Sequence, residues 1–103
     1  MTYMDQVSVP FSSLIDRSGT IATAGTAQKV LQQNSSRRGW RLQNNSDADL
    51  YFNDTGGTAG IKAAGSYRLR AGDYYESPQA SRPGYAVSVI GSKAGQAFSA
   101  GEW

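Results

Sequence analysis

The feature that most constrains this chain is a punctuated alternation. Short runs of alternating or β-branched residues are each closed by Asn, Asp, Ser or Gly. The clearest are Arg38-Gly-Trp-Arg-Leu-Gln-Asn44, Leu50-Tyr-Phe-Asn-Asp54 and Gly84-Tyr-Ala-Val-Ser-Val-Ile-Gly91. Successive side chains of a strand point to opposite faces, so a run that is half buried alternates. The residues between runs are those that tolerate sharp reversals of the backbone. In the first run Trp40, Leu42 and Asn44 share one face, and Arg41 and Gln43 share the other. No segment sustains helical periodicity and no internal repeat is visible. The pattern predicts an all-β fold of seven to nine short strands, a sandwich or barrel.

The remaining segments can be placed on the same scheme. Gln28-Lys-Val-Leu-Gln32 suits either helix or strand by itself, and its context favours strand. Leu50 and Phe52 face one way, Tyr51 and Asn53 the other. Asp54-Thr-Gly-Gly57 is a turn, Ile61 to Ala64 a weak strand, and Tyr67 and Leu69 alternate with Arg68 and Arg70. Ala71-Gly-Asp73 turns into Tyr74-Tyr-Glu76. Ser77 to Pro83, with two prolines, is a loop. Tyr85, Val87 and Val89 alternate with Ala86, Ser88 and Ile90, Gly91 to Gly95 form a loop, and Gln96 to Ala100 form a last strand leading into Glu102-Trp103.

Residues 1–26 differ from the rest. Val7-Ser-Val9 alternates briefly, Pro10 interrupts, Ile21-Ala-Thr-Ala24 has the makings of a small-residue strand, and Ser and Gly are frequent. A long irregular lead is uncommon in a compact domain. The segment reads either as a frayed terminus or as an arm that orders on a neighbouring subunit, and the expected organisation is an extended N-terminal arm over residues 1–26 followed by a sandwich domain over residues 27–103.

Of the 103 residues, 39% are apolar. That is low for a domain of this size, and oligomerisation is a common remedy for a thin core. A homo-oligomer, dimer or trimer, is expected. The N-terminal stretch lacks the apolar run of a signal peptide, and no window approaches a membrane span, so a soluble protein with no membrane partner is expected. The net charge of +2 is carried by mixed rather than blocked charges, which argues against nucleic acid as the partner.

Histidine and cysteine are both absent. Triads built on imidazole or thiolate are therefore excluded, and zinc, iron and copper lose their usual ligands. Asp47 and Asp49, with Asn45, lack the hinge glycine and the bidentate Glu of a calcium loop. Asp73 and Glu76 would need to face one cleft to act as a glycosidase pair, and a turn spacing does not supply that. Gly56-Gly-Thr-Ala-Gly60-Ile-Lys62 lacks the order of a phosphate loop and no helix follows it. Asn34-Ser-Ser36, Asn44-Asn-Ser46 and Asn53-Asp-Thr55 have the form of glycosylation acceptors, and they read better as turns. No enzyme, cofactor or metal is expected.

What remains is binding. Arg37, Arg38 and Arg41 surround Trp40, and Arg68 and Arg70 flank Leu69. Tyr51, Tyr74, Tyr75 and Trp103 exceed what so small a core can hold, and such residues are enriched at protein contacts. The expected interface comprises Tyr74, Tyr75 and Trp103 as anchors, with Arg37 and Arg38 meeting carboxylates. A glycan- or nucleic-acid-binding module would instead use Tyr51, Trp40 or Tyr74 as stacking platforms.

Several of these segments also resemble small virion proteins of tailed bacteriophages. They are Ala27-Gln-Lys-Val-Leu-Gln-Gln-Asn34, Arg37-Arg-Gly-Trp-Arg-Leu-Gln-Asn-Asn-Ser46 and Leu50-Tyr-Phe52. Leu69-Arg-Ala-Gly72, Tyr75-Glu76, Ala86-Val-Ser-Val-Ile-Gly91, Gly95-Gln-Ala-Phe98 and Glu102-Trp103 continue the likeness over most of residues 27–103. The resemblance implies an all-β, jelly-roll-like β-sandwich of about eight short strands, and a capsid cement or decoration protein. Such a protein is made in the host cytoplasm, sits on the head surface, and binds and stabilises junctions between major capsid protein subunits. Neck, tail and fibre-attachment subunits are the neighbouring roles for the same fold. The resemblance carries over no active-site residues.

Overall fold

The structure, a computed structural model, describes residues 14–78 and 83–103. Nine strands are present among them: β1 (Ile15–Asp16), β2 (Gly19–Thr20), β3 (Gln28–Leu31), β4 (Trp40–Asn44), β5 (Leu50–Asn53), β6 (Tyr67–Leu69), β7 (Tyr74–Glu76), β8 (Val87–Gly91) and β9 (Ala97–Glu102). Their pairing follows one rule. β2 lies against β9, β3 against β8, β4 against β7 and β5 against β6, all antiparallel, like rungs between the two arms of one long hairpin. The ribbon is wound so that successive rungs fall in opposite sheets, and β4–β9 and β5–β8 pairing closes the windings. The outcome is a five-stranded sheet, β1-β9-β4-β7 with β2 also on β9, and a four-stranded sheet, β3-β8-β5-β6. This is a jelly roll, with β1 added at one edge.

The core lies between the sheets. Leu42, Phe98 and Ala100 come from one, and Leu31, Leu50, Phe52, Leu69, Val87 and Val89 from the other. Trp40 bridges them: its ring meets Phe52 edge-on at 5.7 Å and Tyr75 at 5.3 Å. Each fully buried Leu, Val or Phe side chain stabilises the fold by roughly 1.5–3 kcal/mol.

The alternation read for Trp40 to Asn44 is present, with Trp40, Leu42 and Asn44 buried and Arg41 exposed. The strand reading of Gln28-Lys-Val-Leu also holds. The three Asn-x-Ser/Thr sites are turns. Asn44 Oδ1 accepts from the amide and hydroxyl of Ser46 at 2.9 and 2.7 Å, and Asn53 Oδ1 does the same for Thr55 at 2.9 and 2.8 Å. Asn34 Oδ1 accepts the amide of Ser36 at 3.0 Å. Asp16-Arg-Ser18 repeats the arrangement after β1. A short polar side chain bonded two residues ahead imitates a backbone turn, which is why these triplets end strands.

Three expectations change. Residues 14–26 belong to the sandwich rather than to an extended arm: Ile15 pairs with Glu102, Gly19 with Phe98, and Ile21 is buried in the core. The rest of the expected arm, including Val7-Ser-Val9, lies outside the described residues. The strand expected over Ile21 to Ala24 is a bend and turn instead, with the pairing just before it in β2. Ile61 to Ala64 is not a strand either. It belongs to the connection from residue 54 to 66, whose turns are closed by Ala63 N–H to Gly60 C=O at 3.2 Å and Ser66 N–H to Ala63 C=O at 3.1 Å.

Candidate interaction surface

The two sheets treat their outer faces differently. On the four-stranded sheet, Tyr51, Asn53, Ser88 and Ile90 point away from the core, and all are buried. The 54–66 connection folds over them. Ala59 packs on Tyr51 and Ile90. Its amide donates to Ser88 Oγ at 2.6 Å, and that hydroxyl donates onward to Gly57 C=O at 3.1 Å. On the five-stranded sheet no described segment crosses the outer face. Arg41, Ser99, Tyr74 and Glu76 are exposed there.

That bare face forms an open groove of about 400 Å³. Ser99 and Gly101 of β9, with Arg41 and Gln43 of β4, make its floor. Leu14 and Ile15 flank one side and Tyr74 the other. Leu14, Ile15 and Tyr74 are each about half exposed, at 46%, 45% and 52%. The Tyr74 hydroxyl donates to Glu76 Oε1 at 2.6 Å. That bond raises the Tyr74 pKa, with burial and the negative charge of Glu76 adding to it against the opposing effect of Arg41. Hydrogen bonds from Ser18 hold the Asp16 carboxylate below its ordinary value at the groove's rim.

Of the expected interface residues, Tyr74 and Arg38 are exposed and three are used internally. Arg37 is buried. Its Nε donates to Glu102 Oε1 at 2.8 Å, Nη1 to the carbonyls of Pro83 and Tyr85 at 2.7 and 2.9 Å, and Nη2 to the carbonyl of Gln32. A guanidinium with its donors so committed is a clasp joining the β3–β4 connection, the approach to β8 and the end of β9, not a charge offered to a partner. Arg17 occupies the second oxygen of Glu102 at 2.7 Å. Burial works to raise the Glu102 pKa, but the hydrogen bonds and positive charges of the two arginines outweigh it and hold the group below its ordinary value.

Tyr75 is half buried, its ring 4.9 Å from that of Phe52, and works as part of the core. Trp103 lies flat on Gly39: a Cβ there would come within 2.5 Å of the indole. Its carbonyl also accepts the amides of Arg38 and Gly39 at 2.6 and 3.1 Å. These two aromatics serve the fold because their partners, Phe52, Trp40 and Gly39, reach them only through pairing across the windings. Trp40 and Tyr51 are buried as well, which removes two of the three stacking platforms considered for a glycan or a base.

The residues not foreseen are Leu14, Ile15, Ser99 and Gly101. A signal for the last two was present: in β9, small residues alternate with Phe98 and Ala100, the mark of a strand with one packed and one recessed face. Three of the carboxylates weighed as catalytic or calcium-binding have structural partners. Asp73 Oδ2 accepts the Arg70 amide at 2.9 Å, Glu76 holds Tyr74, and Asp49 lies 3.9 Å from Arg68. Among the described residues no group of three or more acidic side chains is gathered in metal-binding geometry.

No known protein family matches the chain, and no curated protein or solved structure is similar to it.

Proposed function

We propose that the protein is a non-enzymatic structural component of a tailed-bacteriophage particle: a cement protein on the head surface that binds junctions between major capsid subunits. The observation that carries the reading is the asymmetry of the sandwich. One sheet is covered by its own chain, while the other presents a groove with apolar rims and Arg41 in its floor. An absence of imidazole and thiol side chains supports a role in adhesion over one in catalysis. The likeness to small virion proteins supplies the particle. It runs through residues that build the scaffold: the Arg37–Glu102 clasp, the Asn44 turn, and Gln96, whose amide donates to Ser46 Oγ at 3.1 Å and Asp49 C=O at 3.1 Å.

In mechanical terms, a protein that binds only the assembled junction stabilises the shell by mass action. A standard interface buries about 1,600 Å² in total, and linking several such contacts through one molecule multiplies occupancy. A neck, tail or fibre-attachment subunit would use the same face, and copy number separates the roles. Hundreds of copies per particle indicate cement; six or twelve indicate a neck or tail ring.

The test is quantitative mass spectrometry of purified particles, combined with rebinding of the purified protein to shells that lack it. Ile15→Glu, on the exposed rim, should abolish rebinding while leaving the circular dichroism spectrum intact. Equal occupancy by wild type and Ile15→Glu, or absence of the protein from particles, rejects the reading.

A further inference from the structure

Four strand edges bound the two sheets, and three carry devices that discourage pairing with another chain. The β1/β2 edge is broken into two-residue pieces, with Arg17 and Ser18 between them. The β3 edge has a register irregularity between Lys29 and Leu31, and Lys29 itself is exposed. The β6 edge carries exposed Arg68, followed by exposed Arg70. The β7 edge, Tyr74-Tyr75-Glu76, has no lysine, arginine, proline or bulge.

Its open hydrogen-bonding groups can be assigned from the ladder. Ser77 N–H donates to Trp40 C=O at 2.9 Å, and Asn44 N–H donates to Asp73 C=O at 2.9 Å. Hydrogen-bonded pairs alternate with non-bonded ones along an antiparallel ladder. Leu42 and Tyr75 therefore exchange bonds, whereas Tyr74 and Glu76 turn their amides and carbonyls away from β4. Those groups pair with no strand among the described residues.

We infer that two copies of the chain pair through their β7 edges about a two-fold axis at Tyr75, joining the two five-stranded sheets into one. The register is self-complementary. With Tyr75 opposite the partner's Tyr75, Tyr74 falls opposite the partner's Glu76, and each such pair exchanges two backbone hydrogen bonds, the outward groups that β7 leaves open. On the outer face each Glu76 keeps its own Arg41 as cross-strand neighbour, so the seam carries two carboxylates balanced by two guanidinium groups. On the inner face Tyr75 meets its symmetry mate. Tyr67, which is 61% exposed with its ring 5.9 Å from that of Phe52, stands on the adjoining β6 edge where the second copy would cover it.

The pairing is tested on the full chain by sedimentation velocity over a concentration series, comparing Tyr74→Glu with Tyr74→Lys. Both remove the same exposed ring, so any difference reports what lies opposite. Glutamate would face the partner's Glu76 twice in the dimer, and lysine would face it favourably. The dissociation constant of Tyr74→Glu should exceed that of Tyr74→Lys by about tenfold or more. Circular dichroism of both variants should match wild type. A wild type that stays monomeric throughout, or two variants that dimerise equally, overturns the inference. Neither result bears on shell binding by Ile15→Glu, so this proposal and the functional one fail separately.

Discussion

The outer faces of the two sheets each carry a tyrosine and a serine, and come to opposite ends. Ser88 on the four-stranded sheet and Ser99 on the five-stranded sheet are both outward serines in central strands. One is buried and the other exposed. The 54–66 connection is long enough to fold back over its own sheet, and the tight turn at Ala71-Gly-Asp73, with Gly72 at φ +84°, is too short to do the same for the other. Among the described residues, the length of two connections decides which face is covered. Outward residues on the covered face are held by stability, and those on the other face are under no such constraint, which is what the proposed contact role requires.

The comparison can be broken most severely at the clasp that underlies both sheets. Arg37→Ala leaves Glu102 buried with only the half-exposed Arg17 as partner, and should cost about 3 kcal/mol or more in urea denaturation. Ser88→Ala is the sharper probe of the covered face. It orphans the buried Ala59 amide and should cost about 1–3 kcal/mol, with faster hydrogen exchange across the 54–66 connection. Acid should act on the clasp more gradually. The folded state holds the Glu102 pKa below its ordinary 4.5, so its contribution is complete above that value and is lost as pH falls through the lower, folded pKa. A denaturation midpoint followed from neutral pH downward should decline in that window, with a shallower slope for Glu102→Gln. The smallest effect belongs to Ser99→Ala, the same deletion as Ser88→Ala on the bare face. It loses only an exposed hydrogen bond from Asn45 at 2.6 Å and should stay within about 0.5 kcal/mol of wild type. Equal costs for the two serines would erase the distinction between the faces.

Much of the architecture was legible because it is local. The alternation of Trp40 to Asn44 reports a strand buried on one side. Val87 to Ile90 reads as a strand of the alternating kind, but its alternation does not report burial on both faces, which comes from the distant 54–66 connection laid over Ser88 and Ile90. The Asn-x-Ser/Thr triplets marked turns for a reason that needs nothing beyond three residues. β1 and β2 escaped notice because two-residue strands have no period to detect, and Ile61 to Ala64 has strand-like composition without a strand to pair with. The proposed interface was the least legible part. Arg37 looks like a surface charge until Glu102, distant in sequence, is brought beneath it, and Trp103 looks spare until Gly39 gives it a bed. Long-range pairing turned three expected contact residues into scaffold, and left the proposed contact surface to residues with weaker signals.

The nested pairing also governs how such a chain comes into being. β9 is the strand a ribosome makes last of the nine, yet β1, β2 and β4 all lie directly against it. Until Ala97 to Glu102 have emerged, the five-stranded sheet has no centre, and Ile21, Trp40 and Leu42 wait with their apolar faces open. Closure of that sheet therefore waits for the last of the nine strands and is dominated by distant contacts, the slow regime for small domains. Anything that shelters the nascent chain from its neighbours during that interval decides its yield.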